Sequence, residues 1–407
     1  MKVVVILPTY NERENISSLL STIEAVFKQM KLHGLTPVVS SPPSVERNPP
    51  KQKTGIHPQP NDHDLLRRRI KGHQMAILVV DDNSPDGTAE EVKKAMEKWD
   101  NIKMIKGEKR GLGSAYVRGI DYAIKELGAD VFFEMDADLS HDPELIPTFL
   151  EKIDKGADFV IGSRYIKGGS IPSDWKFYRK IFSLVGNLIV RFGLLIPKIY
   201  DWTSGYRAVK AQVFLKVKDG LKKFQGYAFQ VAFLHRVERE GFKIEEIPLR
   251  FVDRRHGHSK IAPFDYIKNV LIYIFNHSTF IKYCLVGFLG FSVNALGLEV
   301  FYRFGISPGL AAALGAEFAI LTTFSFNNIW TFKEKKFRKI SDTISKFFQF
   351  NLTSFGAVVI IGLTVGVGTF IFGEKTRMIF FALSAIFLVI PYNFYMYNRF
   401  IWKTHER

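Results

Sequence analysis

Short apolar runs alternate with amphipathic segments through residues 1–260 of this chain of 407 residues. Val3–Leu7, Ala76–Val80, Lys103–Ile105, Val131–Met135 and Phe159–Ile161 read as strands. Ile16–Met30, Ala89–Trp99, Ser114–Leu127 and Leu145–Asp154 read as the helices between them. Short apolar strands separated by one-faced helices predict an α/β domain on a mostly parallel sheet covered on both sides. Such sheets bind ligands at the carboxyl ends of their strands. The polar residues that follow each run are therefore the first candidates for chemistry.

The pattern changes near residue 281. Tyr283–Tyr302, Leu310–Trp330, Phe347–Phe372 and Ile379–Trp402 are each long enough to cross ~30 Å of hydrocarbon as a helix. Four spans return the chain to the side it started from. Lys333, Lys335, Lys336, Arg338, Lys339 and Lys346 crowd the loop after the second span, whereas the other two loops offer only Arg303, Lys375 and Arg377. The positive-inside rule then predicts a multi-pass protein of the cell membrane, with residues 1–260 and the C-terminus on the cytoplasmic side. Asn294, Glu299, Glu317, Asn327, Asn328, Asn351, Asn393 and Asn398 fall in or near the spans, where polar groups usually pack against other helices. Residues 261–280 link the two parts, and Pro263–Phe280 reads as a helix at the bilayer interface. Phe177–Leu195, with Arg179, Lys180 and Arg191 among large apolar residues, reads either as a second interfacial helix or as an ordinary helix packed on the sheet. Residues 31–75 carry seven prolines among polar residues and read as a disordered insertion.

The net charge is +16, with the cations concentrated beside apolar segments. That placement favours a membrane surface and phosphate ligands over nucleic acid, for which no recognition motif is present. The sole cysteine, Cys284, permits no intrachain disulfide. The N-terminal apolar run is too short for a secretory signal and reads as a buried strand.

Several motifs fall at strand ends. The first run passes into Pro8-Thr9-Tyr10-Asn11-Glu12, and the second into Asp81-Asp82-Asn83-Ser84-Pro85-Asp86. Each fits a turn with a helix cap, and acidic residues there also suit ribose hydroxyls. The run Val131–Met135 passes into Asp136-Ala137-Asp138-Leu139-Ser140-His141. Two carboxylates two residues apart can hold a hard divalent cation against a diphosphate. Gly111-Leu112-Gly113 lacks the third glycine of a dinucleotide fingerprint, because Tyr116 stands there, and no phosphate-cradling Gly-x-x-x-x-Gly-Lys loop occurs. Gly162-Ser163-Arg164-Tyr165 is followed by Arg179 and Ser183, which share one helical face. The arginines read as phosphate-holding or as surface residues. Arg254-Arg255-His256-Gly257-His258-Ser259-Lys260 reads as a loop closing over an anion, or as a basic linker.

Taken in order, Pro-Thr-Tyr-Asn-Glu, Val-Asp-Asp-Asn-Ser-Pro-Asp-Gly-Thr, Met-Asp-Ala-Asp-Leu-Ser-His-Asp-Pro, Gly-Ser-Arg-Tyr, Thr-Ser-Gly-Tyr-Arg-Ala and His-Gly-His-Ser-Lys resemble the motifs of dolichol-phosphate mannose synthases. These are inverting family 2 glycosyltransferases of the GT-A fold. The resemblance covers residues 1–30 and 76–260, and residues 281–407 resemble the four-helix membrane domain fused to some microbial members. It implies mannose transfer from GDP-mannose to dolichyl (polyprenyl) phosphate. Pro8, Tyr10, Glu12, Val80, Asp82 and Ala137 would contact the donor nucleotide. Asp136 and Asp138 would bind Mg²⁺ or Mn²⁺ with the diphosphate. Ser140 stands where some relatives carry Gln, a metal ligand, and offers a shorter neutral side chain. Arg254 and Lys260 would grip the diphosphate, and Arg164, Arg179 and Ser183 the acceptor phosphate. The family often has an acid where this chain has His258. A polyprenyl-phosphate glucosyltransferase using UDP-glucose, and a lipid-linked sugar translocator with a binding-only soluble domain, are the alternatives. A processive polysaccharide synthase lacks support, because no Gln-x-x-Arg-Trp motif is present.

Overall fold

Apolar side chains on both faces make the central strands fully buried, and these strands carry the sheet. The computed structural model describes residues 1–33, 73–224, 226–253 and 263–403. In chain order it contains β1 (Lys2–Thr9), α1 (Arg13–His33), β2 (Gln74–Asp81), α2 (Thr88–Lys98), β3 (Ile102–Lys106), α3 (Leu112–Lys125), β4 (Val131–Glu134), α4 (Ile146–Asp154), β5 (Phe159–Ser163), α5 (Phe177–Gly193), β6 (Arg207–Lys210), α6 (Ala211–Val217), α7 (Gly226–Arg239), β7 (Ile244–Pro248) and α8 (Pro263–His277). Most of the 31–75 stretch lies outside the described residues; its ends belong to α1 and β2.

The seven strands form one sheet in the order β3-β2-β1-β4-β6-β5-β7. All neighbours run parallel except β6, which is antiparallel to both β4 and β5. This is the GT-A arrangement of a mostly parallel α/β sheet. Strands β6 and β7 were not legible from periodicity. The first is four residues with charged ends, Arg207-Ala208-Val209-Lys210, and the second an edge strand, Ile244-Glu245-Glu246-Ile247-Pro248, interrupted by two glutamates. Reversing β6 brings its first residue, Arg207, to the same sheet end as the last residues of β4 and β5: Glu134 pairs in register with Arg207. Helix α3 lies close on β1 and β2 because Gly119 has no side chain. A Cβ there would stand 2.7 Å from Ile6 and 2.8 Å from Val80.

The described chain divides into two compact units, Met1–Phe192 with Ile196–Tyr273, and Gly193–Leu195 with Ile274–Arg407. In the second, four helices are long and apolar enough to cross a membrane: Thr279–Arg303, Pro308–Thr331, Ile340–Phe372 and Glu374–Ile401. The Pro263–Phe280 reading is split, since α8 ends at His277 and the Ser278 side chain caps the next helix by accepting from the Ile281 N–H at 3.1 Å. Small residues let the first two spans approach, as Gly297 faces Gly315. Tyr283, Phe324, Phe332, Phe350, Tyr397, Ile401 and Trp402 form a buried cluster. Asn328 serves this packing: its Oδ1 accepts the Phe337 N–H at 2.9 Å and the Trp402 Nε1–H at 3.2 Å. Glu317, by contrast, is exposed on its span.

Candidate active site

Strand β4 delivers Asp136 and Asp138 to the carboxyl end of the sheet, and the turn that follows locks both. The Asp136 N–H donates to Nδ1 of His141 at 3.0 Å. Leu139 takes a left-handed conformation (φ 64°), which lets the chain double back. Ser140 then donates twice to Asp138 Oδ1, from its N–H at 3.1 Å and from its Oγ at 2.6 Å. The Ser140 hydroxyl thus orients the neighbouring carboxylate. His141 is buried, stacked on Tyr206 at 4.9 Å and edge-on to Phe251 at 6.1 Å. Burial holds its imidazole below the ordinary value, against the opposing pull of Asp136 and Asp138. With Nδ1 accepting, the ring proton is assigned to Nε2, 3.8 Å from Asp136 Oδ2.

Beneath Asp136 lies a sealed layer. Tyr116 of α3, fully buried, donates its hydroxyl to Asp136 Oδ1 at 3.2 Å. Burial, and then the charges of Asp136 and Glu134, push its phenol well above the ordinary value, so it stays a donor. Glu134 and Arg207 face each other at 3.8 Å with both side chains out of solvent. Burial pushes the Glu134 carboxyl up to about 7 despite the arginine. Above Asp136 there is room. Gly205, in the Thr203-Ser204-Gly205-Tyr206-Arg207 segment, would place a Cβ only 3.5 Å from Asp136 Oδ2. Oδ1 would be 3.6 Å from the same Cβ, so the absent side chain leaves this face of the carboxylate uncovered, and the Asp136 side chain is 35% exposed.

The residues present fit a hard divalent cation. Asp136 and Asp138 supply two carboxylates, and no group of three or more His, Cys, Asp or Glu converges among the described residues. A cation there would complete its shell from diphosphate oxygens and water, the habit of Mg²⁺ at phosphate sites.

The ends of β1 and β2 build the neighbouring wall. Pro8 pairs in register with Val80. Of the acidic residues after β2, two are turn builders. Asp81 accepts from Thr9 Oγ1 at 3.1 Å and Ser84 Oγ at 2.6 Å. Asp86 accepts from the Arg13 N–H at 3.0 Å and Thr88 Oγ1 at 2.6 Å. Ser84 and Thr88 in turn accept the N–H groups of Asn11 and Glu12, so the two motifs are stitched together. Asp82 has a different setting: it is paired with Arg118 of α3, and burial pushes its carboxyl up against that arginine's lowering influence. Lys109 sits over the Tyr10 ring at 3.6 Å. Tyr10 and Glu12 are partly exposed near this pair of loops, whereas Val80 and Ala137 are buried.

The residues expected at the acceptor are divided. Arg164 is buried and bound in two-pronged fashion to Asp201, Nε to Oδ2 at 2.7 Å and Nη2 to Oδ1 at 2.7 Å. It also reaches Thr203 Oγ1 at 2.7 Å. Ser183 joins the same neighbourhood. Its Oγ meets the Tyr165 hydroxyl at 2.6 Å, and Asn187 Nδ2 donates to both the Ser183 carbonyl and Thr203 Oγ1. Arg179 stands apart and is 43% exposed. It lies over Trp175 at 3.9 Å and donates to Asp253 at 2.8 Å. Phe251 links the regions: it touches His141, Trp175 at 5.8 Å and Arg164 at 5.6 Å. Arg254 and Lys260 lie outside the described residues, as does the rest of their loop. Sequence reasoning missed Tyr116, Arg118, Asp201, Phe251 and Asp253. The first had served only to reject a dinucleotide fingerprint, and an aspartate two residues before the basic loop's second arginine was the one available hint.

Helix α5 does not bury its apolar side on the sheet. Phe177, Tyr178, Phe182, Leu184 and Phe192 are exposed, while Asn187 and Val190 are its buried residues. A helix that turns its apolar side outward is built for an interface. Helix α8 likewise exposes Ile267, Leu271 and Phe275 along one stripe.

Comparison with known proteins places these features in context. Residues 63–217 match glycosyl transferase family 2, and residues 282–402 match the GtrA/DPMS transmembrane domain. The chain is similar to the dolichol-phosphate mannosyltransferase of Pyrococcus furiosus, 33% identical over 367 residues that cover 88% of each chain. It is 34% identical to the polyprenol monophosphomannose synthase of Mycolicibacterium smegmatis, over 64% of this chain and 81% of that one. It is 40% identical to the undecaprenyl-phosphate mannosyltransferase of Micrococcus luteus, over 49% of this chain and 80% of that one.

Proposed function

Because the chain belongs to the family 2 glycosyltransferases that act on polyprenyl phosphates and carry a GtrA/DPMS transmembrane domain, we propose that it transfers mannose from GDP-mannose to dolichyl (polyprenyl) phosphate with inversion. The observation that carries this reading is the oriented pair Asp136 and Asp138 at the open end of the sheet, with Arg179 in the wall that Phe251 connects to it.

The reaction asks little covalent chemistry of the protein. Phosphate esters titrate near pH ~6, so the acceptor is already an anionic nucleophile and needs no protein base. It attacks the anomeric carbon as the bond to GDP breaks, with one inversion. Asp136 and Asp138 would hold Mg²⁺ or Mn²⁺, which supplies charge neutralisation for the departing diphosphate. Arg254 and Lys260 are assigned to the same diphosphate through their motif. Arg179 aims the acceptor phosphate, a positioning contribution. Arg164 and Ser183 act from behind, Arg164 by fixing the Asp201–Thr203 loop and Ser183 by anchoring Tyr165. Asp82, Tyr10, Glu12 and Pro8 face the nucleoside. The outward apolar sides of α5 and α8 suit the headgroup zone of a bilayer, where the acceptor phosphate resides. The basic loop after the second span puts the catalytic unit on the cytoplasmic side.

Incubating purified protein with labelled GDP-mannose or UDP-glucose and polyprenyl phosphate tests the donor. Mannolipid of the β configuration is expected, read by NMR of the anomeric proton. Preferred transfer from UDP-glucose would make the enzyme a glucosyltransferase, and glycolipid movement across liposomes without transfer would make it a translocator. The acceptor assignment has its own test. Arg179→Ala should raise KM for the lipid phosphate about tenfold or more, the loss of one charge-assisted contact, and leave KM for GDP-mannose near its original value. A variant weakened only toward GDP-mannose would show the role to be misassigned.

A further inference from the structure

Asp136 is held from two sides by His141 and Tyr116, both buried. Its backbone is fixed by His141 through the 3.0 Å bond to Nδ1. The carboxylate lies beside the same ring, its Oδ2 3.8 Å from His141 Nε2. The Tyr116 hydroxyl donates to Oδ1 at 3.2 Å and restrains rotation about the side-chain torsions. Both carboxylate oxygens lie beside Gly205, where a Cβ would stand 3.5 Å from Oδ2 and 3.6 Å from Oδ1.

We propose that Tyr116 is a positioning residue for the divalent cation, fixing the Asp136 carboxylate through the hydrogen bond to its Oδ1. This rests on the reading of Asp136 and Asp138 as the cation-holding pair. Tyr116 is itself rigid. It is fully buried, and its ring stacks on Phe229 of α7 at 6.1 Å with planes 8° apart. Phe229 in turn packs against Gly113, where α3 begins and no side chain intervenes. The hydroxyl therefore reports the position of α3 and α7 to the carboxylate. Asp138 is set independently by Ser140, so each carboxylate has its own dedicated donor. Partners of this kind around a metal ligand are commonly worth 10–100-fold (on the order of) in metal affinity.

The test is a Mn²⁺ titration of the purified full-length chain in detergent, followed by the EPR signal of the free ion. Tyr116→Phe removes one oxygen and keeps the ring stack. Its Kd for Mn²⁺ should rise about tenfold, with the KM for Mn²⁺ in the transfer assay rising by the same factor and far-UV circular dichroism unchanged. Phe229→Leu disturbs the stack but keeps the hydroxyl, and should bind Mn²⁺ within about twofold of the original protein. Tyr116→Phe binding Mn²⁺ with unaltered affinity would overturn the proposal. So would Phe229→Leu weakening Mn²⁺ binding as much, since packing would then explain both. Asp138→Ala is the separate control. If it binds Mn²⁺ as tightly as the original protein, the cation-site reading itself fails, whatever Tyr116 does.

Discussion

Asp138→Ala should reduce transfer by about 10³-fold or more, the scale on which preorganised charge stabilisation is lost when one of its few elements is removed. The side chain is nearly buried, and its Oδ1 takes two hydrogen bonds from Ser140 within the same turn. That investment fixes a carboxylate in one rotamer at a strand end, where a solvent-facing turn would do as well without it. Removing it leaves the backbone of the turn in place, because the Asp136 N–H to His141 bond and the Tyr206 stack on His141 do not involve Asp138. The variant should thus extract with membranes and keep its circular dichroism, yet fail to form glycolipid at any Mg²⁺ or Mn²⁺ concentration. Turnover near the original rate, measured with labelled GDP-mannose, would remove these carboxylates from the mechanism. A variant that merely unfolds would be recognised by its circular dichroism.

The sequence made the scaffold of this site legible and most of its bracing invisible, for physical reasons. β1, β2, β4 and β5 are buried on both faces, so their burial is written as continuous apolar runs. Placement at a strand end singled out Asp136 and Asp138 as candidates, and the resemblance to dolichol-phosphate mannose synthases added Asp82 and Pro8. The membrane spans are longer still and equally plain. Strand β6 escapes because its identity lies in pairing: Arg207 and Lys210 are charged residues in a four-residue strand, and only the partners β4 and β5 make them a strand. The bracing residues escape for a related reason. Tyr116 meets Asp136 across 20 positions, Arg164 meets Asp201 across 37, and Arg179 meets Asp253 across 74. Nothing in local spacing encodes such contacts. Asp81 and Asp86 follow the turn-and-cap reading of their motif, their oxygens accepting from Thr9, Ser84, Arg13 and Thr88. An arginine after a strand was read as a phosphate holder, and the same residue type serves equally as half of an ion pair. Both arginines are in ion pairs: Arg179 with Asp253 and more exposed, Arg164 buried against Asp201.

That ion pair carries the largest expected effect on stability. Asp201→Asn should destabilise the catalytic unit by about 3–5 kcal/mol, the usual cost of stranding one partner of a buried pair. Asp201 is wholly buried and accepts from the Arg164 N–H and Nε at Oδ2, and from Arg164 Nη2 and the Ser204 N–H at Oδ1. An amide presents one oxygen and one NH₂, so one set of donors would face another donor while the Arg164 charge stayed buried without its counterion. The loop from Asp201 to Ser204, which leads into Gly205 beside Asp136, would lose its anchor at the same time. The pH dependence has a definite sign. Burial alone would push the Asp201 carboxyl up, but the charge and hydrogen bonds of Arg164 outweigh it and hold the group below its ordinary value. A carboxyl depressed in the folded state contributes stability that is fully present above its unfolded value, ~3.9, and is lost as pH falls through the lower folded value. The original protein and Asp201→Asn should therefore differ most at neutral pH and converge below pH ~4. Urea unfolding of the full chain in detergent, followed by tryptophan fluorescence with buried Trp202 next to the substitution, measures the difference. A gap that stays constant from pH 7 to pH 3, or one smaller than about 1 kcal/mol at neutral pH, the scale of a surface pair, would mean that Asp201 and Arg164 are not bound to each other in the folded protein.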